Sequence, residues 1–540
     1  MKTKEQVQAE KNEVEGYLKM WKACKGNRAN WDEHWRDVAR YVIPNKENVW
    51  DFNSRSKGDK KNLRLYDSSA RHYNELLASA LHSMLTNPSV QWFELTTGNR
   101  ELDKNPAVRD YLQDTVRKIH QILNNSNFQT EIHEVYLDLG SFGTGAMLID
   151  EDDDNIINFQ SRPIYQFHLM ENFKSEVDTF FIELSLTGRQ ILQKYGEEML
   201  TKEAIKMMKD KPEKEHVVVM MVTPNGEREF GRKDSTNKPF KSVHILQKPG
   251  MIVKRSGFDE FPAVFPRWIK DSMETYGRSP SMKALPDIKL INAMMKTIIR
   301  SAQKIVDPPL MIPDDGFMRF NTKPGGLNPY RAGTQDKVYP IETRGQVGLG
   351  IDMVRDIRDR IKESYYIDQL QLREGPQMTA TEVNARTDEH LRLLGPILGR
   401  LHFELLQPLI ARTIGILKRK KQLPPNPPKE LEGAQMQVFY SSQIARAQRI
   451  SEAQNFERYF TTVLGMAEIM PEVVDNFNPD DVVKYLADIH GAPQEVMREE
   501  DARDGMRQQR AEQQQQQEQA MMEQEQAKTA EIATKASNNA

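Results

Sequence analysis

One segment, residues 281–306, restricts the folds open to this chain more than any other. Its apolar residues recur every three or four positions, which predicts an α-helix with one buried side. Cations follow the same spacing on the opposite side, without acids at matching helical offsets. Asp307 and the two prolines after it end the helix. The apolar side consists of Ile288, Ile291, Met295, Ile298, Ala302 and Ile305, and the cationic stripe consists of Lys289, Lys296, Arg300 and Lys304.

A second amphipathic helix is predicted at 350–372, and its apolar side consists of Ile351, Val354, Ile357, Ile361 and Tyr365. The stretch between the two helices, 307–349, is rich in Pro and Gly, which indicates a compact module of short strands and turns. Two such helices cannot bury both apolar sides by themselves, whereas neighbouring copies of the chain can cover them.

The chain before these helices, residues 1–278, mixes helical and strand-like patterns. Helical spacing is clear at 106–124 and 127–139, while 217–222 is typical of a strand. The expected fold class is therefore α+β and predominantly helical.

Beyond the second helix the chain is again predicted to be mostly helical. A capping box of Thr379 and Glu382 starts a long helix, and Pro396 and Pro408 predict kinks in it. The Gln/Glu-rich C-terminal stretch is expected to be disordered or to become helical inside an assembly. The predicted parts are a short break at 373–378, the long kinked helix at 379–425, a helical region at 426–500 and the tail at 501–540.

Composition excludes several classes of protein. Hydrophobic residues make up 38% of the 540, enough for a real core, and 75 Lys and Arg nearly balance 78 Asp and Glu, so any contact with nucleic acid must be local. The single cysteine, Cys24, rules out an internal disulfide framework and a cysteine-based metal site. No apolar run approaches the roughly 20 residues of a bilayer crossing, so we expect no membrane contact.

Motifs for catalysis are missing. There is no phosphate-binding loop of the G-x-x-x-x-G-K-[ST] type. Gly140, Gly143 and Gly145 follow a helix and precede a strand, the reverse of a nucleotide-binding turn, so a structural turn is favoured. The acidic run 151–154 lacks the spacing of a calcium loop and fits a solvated hairpin tip. We therefore expect no enzyme activity, no cofactor and no metal.

The cationic stripe has two interpretations. A solvated helix face is the ordinary one, but the absence of neighbouring acids favours a surface that faces a polyanion or the acids of a neighbouring subunit. Contacts of this kind with DNA are to phosphate and carry no sequence information. The cations of 418–421 end a helix, where the helix dipole also favours them, so capping and DNA contact both remain open.

Several segments, in this order and spacing, resemble the head-to-tail connector, or portal, family of short-tailed double-stranded-DNA bacteriophages. The resemblance extends from about residue 10 to about residue 500. The segments are LYDSSARHYNELLASALHSMLTNPSVQWFEL (65–95), GRSPSMKALPDIKLIN (277–292), VDPPLMIPDDG (306–316) and MTATEVNARTDEHLRLLGPILGRLHFELLQPLIAR (378–412).

The resemblance implies a dodecameric ring around an axial channel. In that arrangement 1–278 corresponds to an N-terminal wing, 279–306 to the first stem helix, 307–349 to the clip, 350–372 to the second stem helix, 373–378 to the tunnel loop, 379–425 to the long kinked wing helix, 426–500 to the crown and 501–540 to a variable tail.

The resemblance also implies a function. The ring would occupy the portal vertex of the virion head, after assembly in the host cytoplasm, and pass double-stranded DNA during packaging and ejection. Terminase, a tail adaptor, capsid protein and scaffolding protein would be its partners. The rivals are an internal or scaffolding virion protein and a phage nucleic-acid enzyme. Candidate channel residues are Lys289, Lys296, Arg300 and Lys304, and candidate tunnel-loop residues are Arg373, Glu374, Gly375, Pro376, Gln377 and Met378.

Overall fold

Contacts within the chain define two compact units, Met1–Ser442 and Gln443–Ala540. The structure is a computed structural model, and it describes residues 4–46, 65–153, 155–229, 231–232, 234–307, 310–311, 339–340, 347–370, 394–431, 436–440, 456–467, 470, 472–473, 477–490, 503, 505–510, 512–513 and 517.

Helices account for most of the regular structure in the described part of the first unit. Capping side chains fix several of their starts. Asn105 accepts a hydrogen bond from the backbone N–H of Ala107, and Ser279 does the same for Met282. The helices are α1 (Lys4–Asn27), α2 (Ala29–Tyr41), α3 (Ser69–Leu85), α4 (Arg100–Lys104), α5 (Pro106–Asn125), α6 (Phe128–Phe142), α7 (Gly188–Tyr195), α8 (Lys202–Asp210), α9 (Pro280–Val306), α10 (Val347–Ser364), α11 (Ile367–Leu370) and α12 (Gln407–Arg419).

The strands lie mainly between α6 and α9 and form antiparallel pairs. The largest sheet has the order β4-β5-β6-β7-β8, and a smaller one has the order β3-β2-β9. The strands are β1 (Glu94–Thr96), β2 (Met147–Asp152), β3 (Ile156–Ser161), β4 (Phe167–Glu171), β5 (Val177–Thr187), β6 (Glu215–Pro224), β7 (Phe240–Leu246), β8 (Met251–Phe258), β9 (Ala263–Val264), β10 (Leu310–Met311), β11 (Tyr339–Pro340) and β12 (Gln437–Phe439).

The five-stranded sheet is covered by helices on both faces. Trp21 of α1 packs with Phe181 and Val219 on one face. Ile191 of α7 and Met208 of α8 are fully buried on the other face. Because β5, β6, β7 and β8 carry apolar residues toward both helical layers, the centre of the sheet is closed to water.

β2 and β3 form a hairpin in which Asp152 pairs with Ile156. The acidic run that begins at Glu151 therefore lies at a hairpin tip, as predicted. Phe159 of β3 packs edge to face against Phe128 of α6, with the ring centroids 5.1 Å apart. This contact joins the small sheet to the helical part of the unit.

The first long amphipathic helix was predicted at 279–306, and α9 begins at Pro280 and ends at Val306. The second differs from the predicted 350–372, because α10 ends at Ser364 and Tyr366 has a positive φ of 59°. A non-glycine residue in this left-handed conformation interrupts an α-helix, and α11 follows as a separate turn. Within 307–349, β10 and β11 pair antiparallel, and most of the remaining stretch lies outside the described residues.

The long helix predicted at 379–425 is described from residue 394 onward. Helical residues 394–401 continue into a π-helical turn, His402–Leu406, and then into α12. Pro408 lies in the first turn of α12 and has no N–H to donate backward, so the wider turn before it accommodates the missing hydrogen bond. The irregularity predicted near Pro408 thus takes the form of a π turn.

β12 belongs to the first unit, where it pairs antiparallel with β1. Within the second unit, a helix at 456–467 precedes α13 (Pro479–His490). Phe456 packs edge to face against Tyr485, and Phe460 packs against Phe477 with ring centroids 5.5 Å apart. An aromatic cluster therefore holds the described part of this unit together.

The mixed helical and strand class predicted from the sequence is confirmed. Among the helices of the described ranges, none is both long enough and apolar enough to span a bilayer.

A buried histidine makes the large sheet sensitive to acid. His244 lies 6% exposed on β7, with Nδ1 3.0 Å from the hydroxyl of Tyr195. Burial, together with the charges of Lys194 and Lys254, lowers the pKa of His244 to about 3. The folded protein therefore keeps this imidazole neutral well below the pH at which an unfolded chain would protonate it.

We expect the free energy of unfolding to fall as the pH drops from 6.5, the ordinary pKa of the residue, toward 3. Over that range the unfolded chain binds a proton that the folded chain does not, so the stability contributed by neutral His244 is present above pH 6.5 and lost below it. The contribution approaches about 1.4 kcal/mol per pH unit. Urea denaturation at several pH values should give His244→Gln a shallower pH slope than the wild type. His72→Gln, an exposed position on α3, should keep the wild-type slope; an unchanged slope in His244→Gln would contradict the assignment.

Candidate interface and DNA-facing surface

Two buried serine hydroxyl groups hold the first turn of α9 against the C-terminal part of α6. Ser279 caps the helix and donates to the carbonyl oxygen of Ser141 at 2.6 Å. Ser281 lies 2.6 Å from the carbonyl oxygen of Gly140 and equally close to the hydroxyl of Tyr365. Because the serine hydroxyl carries one hydrogen, it donates to the carbonyl and accepts from the tyrosine. Burial raises the pKa of Tyr365, which keeps the phenol protonated for this role.

A close backbone contact between Gly143 and Gly277 also holds the start of α9 in place. Gly143 ends α6 with a φ of +75°, and a Cβ on either Gly143 or Gly277 would lie 2.3 Å from the carbonyl oxygen of the other. The N–H of Gly277 donates to Thr144 Oγ1 at 2.8 Å, and the N–H of Trp268 donates to the carbonyl of Gly143 at the same distance. Only glycine permits this approach, so the glycine-rich turn has the structural role that the sequence favoured.

Asn74 of α3 also binds the C-terminal part of α6. Its amide nitrogen donates to Ser141 Oγ at 3.0 Å and to the carbonyl of Leu137 at 3.2 Å. A Cβ on Gly140 would lie 2.0 Å from Asn74 Oδ1, so the glycine is required for α3 and α6 to pack this closely.

α10 packs along α9 and is held by ion pairs as well as by apolar contact. Arg360 lies 3.3 Å from Asp287 of α9, and Arg358 lies 2.7 Å from the buried carboxylate of Asp67. A Cβ on Gly350 would lie 3.2 Å from the side chain of Ile298, so the helices approach closely at this glycine. Val354, Ile357, Ile361 and Tyr365 are buried here. The single chain therefore buries most of the predicted apolar side of α10, contrary to the expectation that neighbouring copies are needed to cover it.

Two of the four predicted channel cations are used within the chain. Lys289 Nζ lies 2.7 Å from Asp37 of α2, in an ion pair that the sequence did not predict. The ammonium group of Lys296 lies over the ring of Tyr66, 5.7 Å from its centroid. These contacts hold the middle of α9 against α2 and the segment that precedes α3.

The other two cations, Arg300 and Lys304, are exposed on the last two turns of α9. Within the described ranges neither of them has an ion-pair partner. The cationic stripe therefore has two parts. Lys289 and Lys296 bind other residues of the chain, whereas Arg300 and Lys304 are exposed to solvent in the single chain.

Apolar residues are also exposed toward this end of the helix pair. Val306 is 84% exposed and Leu349 is 60% exposed, values unusual for side chains of this size. A single copy of the chain leaves this apolar surface uncovered by its described residues. The exposed apolar residues of this region are Ile299, Ile305 and Val306 of α9 and Leu349, Ile351 and Met353 of α10.

Two of the four cations at 418–421 have partners at the β2–β3 hairpin. Arg419 lies 2.6 Å from Glu151, and Lys420 lies 3.0 Å from Asp153. Arg419 also bonds Glu260 at 2.7 Å. The end of α12 and the acidic hairpin tip therefore neutralise each other. The candidate tunnel-loop residues Arg373, Glu374, Gly375, Pro376, Gln377 and Met378 lie outside the described residues.

A buried cation that sequence reasoning missed joins the π turn to the sheet. Arg267 is 4% exposed, and its guanidinium forms two hydrogen bonds with Glu404, at 2.8 and 3.0 Å. It also bonds Glu171 of β4. These carboxylates raise the pKa of Arg267 despite its burial, which alone would lower it. Since the partners are 96 and 137 residues away in sequence, no local pattern indicates this contact.

Metal binding has no support in the described part of the chain, where no group of three or more His, Cys, Asp or Glu side chains is arranged to hold an ion.

Exposed apolar surface, beside a helix end whose cations lack ion-pair partners in the described ranges, is typical of a subunit of a larger assembly. Residues 14–497 match the model of a family described as bacteriophage head to tail connecting protein. The chain belongs to that family, and the predicted family and function class are confirmed.

Two curated relatives agree with this assignment. A probable portal protein of Bordetella phage BPP-1 is 31% identical over 507 residues, covering 91% of this chain and 89% of the relative. The portal protein of Salmonella phage epsilon15 is 28% identical over 519 residues, covering 92% and 91%. A chain from the virion of a native gene transfer agent particle aligns with 72% of this chain and 89% of its own length at 10% identity, and its TM-score of 0.33 is too low to define a shared fold.

Replacing Gly140 by alanine tests the close packing of α3 and α6 beside the start of α9. Alanine normally stabilises a helix interior by about 1 kcal/mol relative to glycine, but here its methyl group would meet Asn74 at 2.0 Å. We therefore expect Gly140→Ala to lower the free energy of unfolding by about 1 kcal/mol or more. The matched control is Gly16→Ala in α1, where nothing lies within 4 Å of the added atom and a gain is expected. Chemical denaturation of both variants measures the difference, and stabilisation by Gly140→Ala would refute the close packing.

Proposed function

We propose that copies of this chain form a closed ring, expected from the family to be dodecameric, at the portal vertex of a phage head. Double-stranded DNA would pass through its axial channel during packaging and ejection. The observation that carries this proposal is the region where α9 ends and α10 begins. There, exposed apolar side chains lie together with cations that lack ion-pair partners in the described ranges, on an element that family membership predicts to be the stem. A neighbouring copy supplies the apolar cover, and the channel supplies a polyanion.

The channel should hold DNA loosely. Genome-length DNA can slide only if its contacts are many, weak and exchangeable, which phosphate contacts are and base contacts are not. Arg300 and Lys304 are the proposed contacts, because their charges are exposed and lack ion-pair partners in the described part of the chain. Lys296 and Lys289 belong to the same stripe, but their contacts with Tyr66 and Asp37 give them a second role in fastening α9.

The other parts follow from the family. We propose that 373–378 acts as a tunnel loop near the moving DNA and that 307–349 acts as the clip. The clip would bind terminase during packaging and the tail adaptor afterwards, while capsid and scaffolding proteins surround the wing. No residue of the chain is proposed to catalyse a reaction.

Assembly can be tested on the purified protein. We expect negative-stain images to show rings, and native mass spectrometry to show one closed oligomer. The double variant Val306→Asp/Leu349→Asp puts charges on two exposed apolar positions, so it should assemble less without unfolding the subunit. Circular dichroism checks the fold. Monomers of the wild-type chain at high concentration would exclude the ring.

The DNA contact can be tested by charge reversal. We expect Arg300→Glu/Lys304→Glu to reduce packaging or retention of DNA several-fold in an in vitro packaging assay while rings still form, because phosphate contacts are lost at every copy. The matched control, Lys202→Glu/Lys206→Glu, makes the same change in net charge at exposed positions of α8. If the two double variants package DNA equally well, Arg300 and Lys304 are not channel contacts.

A further inference from the structure

A second group of cations lies on the large sheet, on elements other than α9 and α10. Lys254 of β8 is the cross-strand partner of His244, and His244 Nδ1 is 3.0 Å from the hydroxyl of Tyr195. Lys194 directly precedes that tyrosine at the end of α7. The two lysines are therefore gathered around one His–Tyr pair, and both are exposed.

Arg162, which directly follows β3, belongs to the same group. Burial and the positive charges of Arg162 and Lys254 lower the pKa of Lys194, with Asp150 as the acid that opposes them. Burial in turn raises the pKa of Asp150, which weakens its value as a counter-ion. In the part of the chain that the structure describes, none of the three cations forms an ion pair. The Nε donor of Arg162 is buried and has no acceptor there.

β8, the strand that carries Lys254, lies at an uncovered edge of the sheet. β8 is the last strand of the sheet, and its outward backbone groups at 251–256 make no hydrogen bond with other described residues. The opposite edge is covered, since the hydroxyl of Tyr276 accepts from the N–H of Leu169 and Arg28 donates to the carbonyl of Phe167. Uncovered edges recruit further strands, and cations beside an edge select what can bind.

We propose that the edge of β8 and the cations Arg162, Lys194 and Lys254 form a docking site for an extended acidic polypeptide segment of a partner protein, which adds to the sheet as a sixth strand. Because the three side chains of the site are cationic, a partner of complementary charge carries acidic residues. The open edge favours a polypeptide over DNA, because DNA phosphates only accept hydrogen bonds and cannot satisfy the outward carbonyl groups of β8.

Binding of a designed peptide to the full-length assembled protein tests this site. The probe is a fluorescent octapeptide of alternating Glu and Val, and the control peptide has Gln in place of Glu. We expect the acidic peptide to bind and the neutral peptide to bind at least about tenfold more weakly by fluorescence anisotropy. Hydrogen exchange should show new protection at 251–256 when the acidic peptide is bound.

Two variants of equal charge change identify the surface. Lys194→Glu/Lys254→Glu should weaken binding of the acidic peptide by about tenfold or more. Lys19→Glu/Lys22→Glu on α1, which packs on the opposite face of the sheet, should leave binding within about twofold. Equal affinity for both variants overturns the proposal, as does binding without protection at 251–256. A short DNA duplex that binds in a Lys194- and Lys254-dependent way, where the acidic peptide does not bind, also overturns it.

Discussion

The close approach of Gly143 and Gly277 is the contact on which the long helices depend. It brings the end of α6 against the residues that precede α9, so that Ser279 and Ser281 can reach backbone carbonyls within the body of the subunit. Each of these groups is buried and would be costly to leave unpaired. The start of α9 is therefore fixed in direction, and Tyr365 ties the end of α10 to the same point. Any larger residue at either glycine would displace both helices together.

A helix fixed at one end can present different surfaces along its length. Near its start α9 is covered by the body, and Lys289 and Lys296 bind groups on preceding elements. Toward Val306 the apolar residues and the cations both lose their partners within the described part of the chain. This gradient would suit the ring that we propose, in which each subunit needs a rigid base and an end that other copies and DNA complete.

The buried Arg267 has a similar fixing role for the helix that contains the π turn. Removing a guanidinium from water is expensive, and its hydrogen bonds to Glu404 and Glu171 offset that cost without adding much net stability. The contact instead fixes the orientation of the helix that contains the π turn. It holds the turn before α12 against β4, while Arg419 and Glu151 fasten the other end of α12 to the β2–β3 hairpin.

Periodicity along the chain was enough to predict α9 to within one residue of its start and the pairing of β2 with β3, while the resemblance of several segments indicated the family. These features depend on short-range spacing and on hydrophobic burial, which a sequence displays directly. The partners of Lys289, Arg267 and Arg419 were not predictable, because 252, 137 and 268 residues separate them from Asp37, Glu404 and Glu151. The early end of α10 depends on the backbone conformation of Tyr366, which tertiary packing imposes against its usual preference. The sequence alone therefore determined where elements form and which protein family they build, while the tertiary structure decided which charges are used inside the subunit and which remain for its partners.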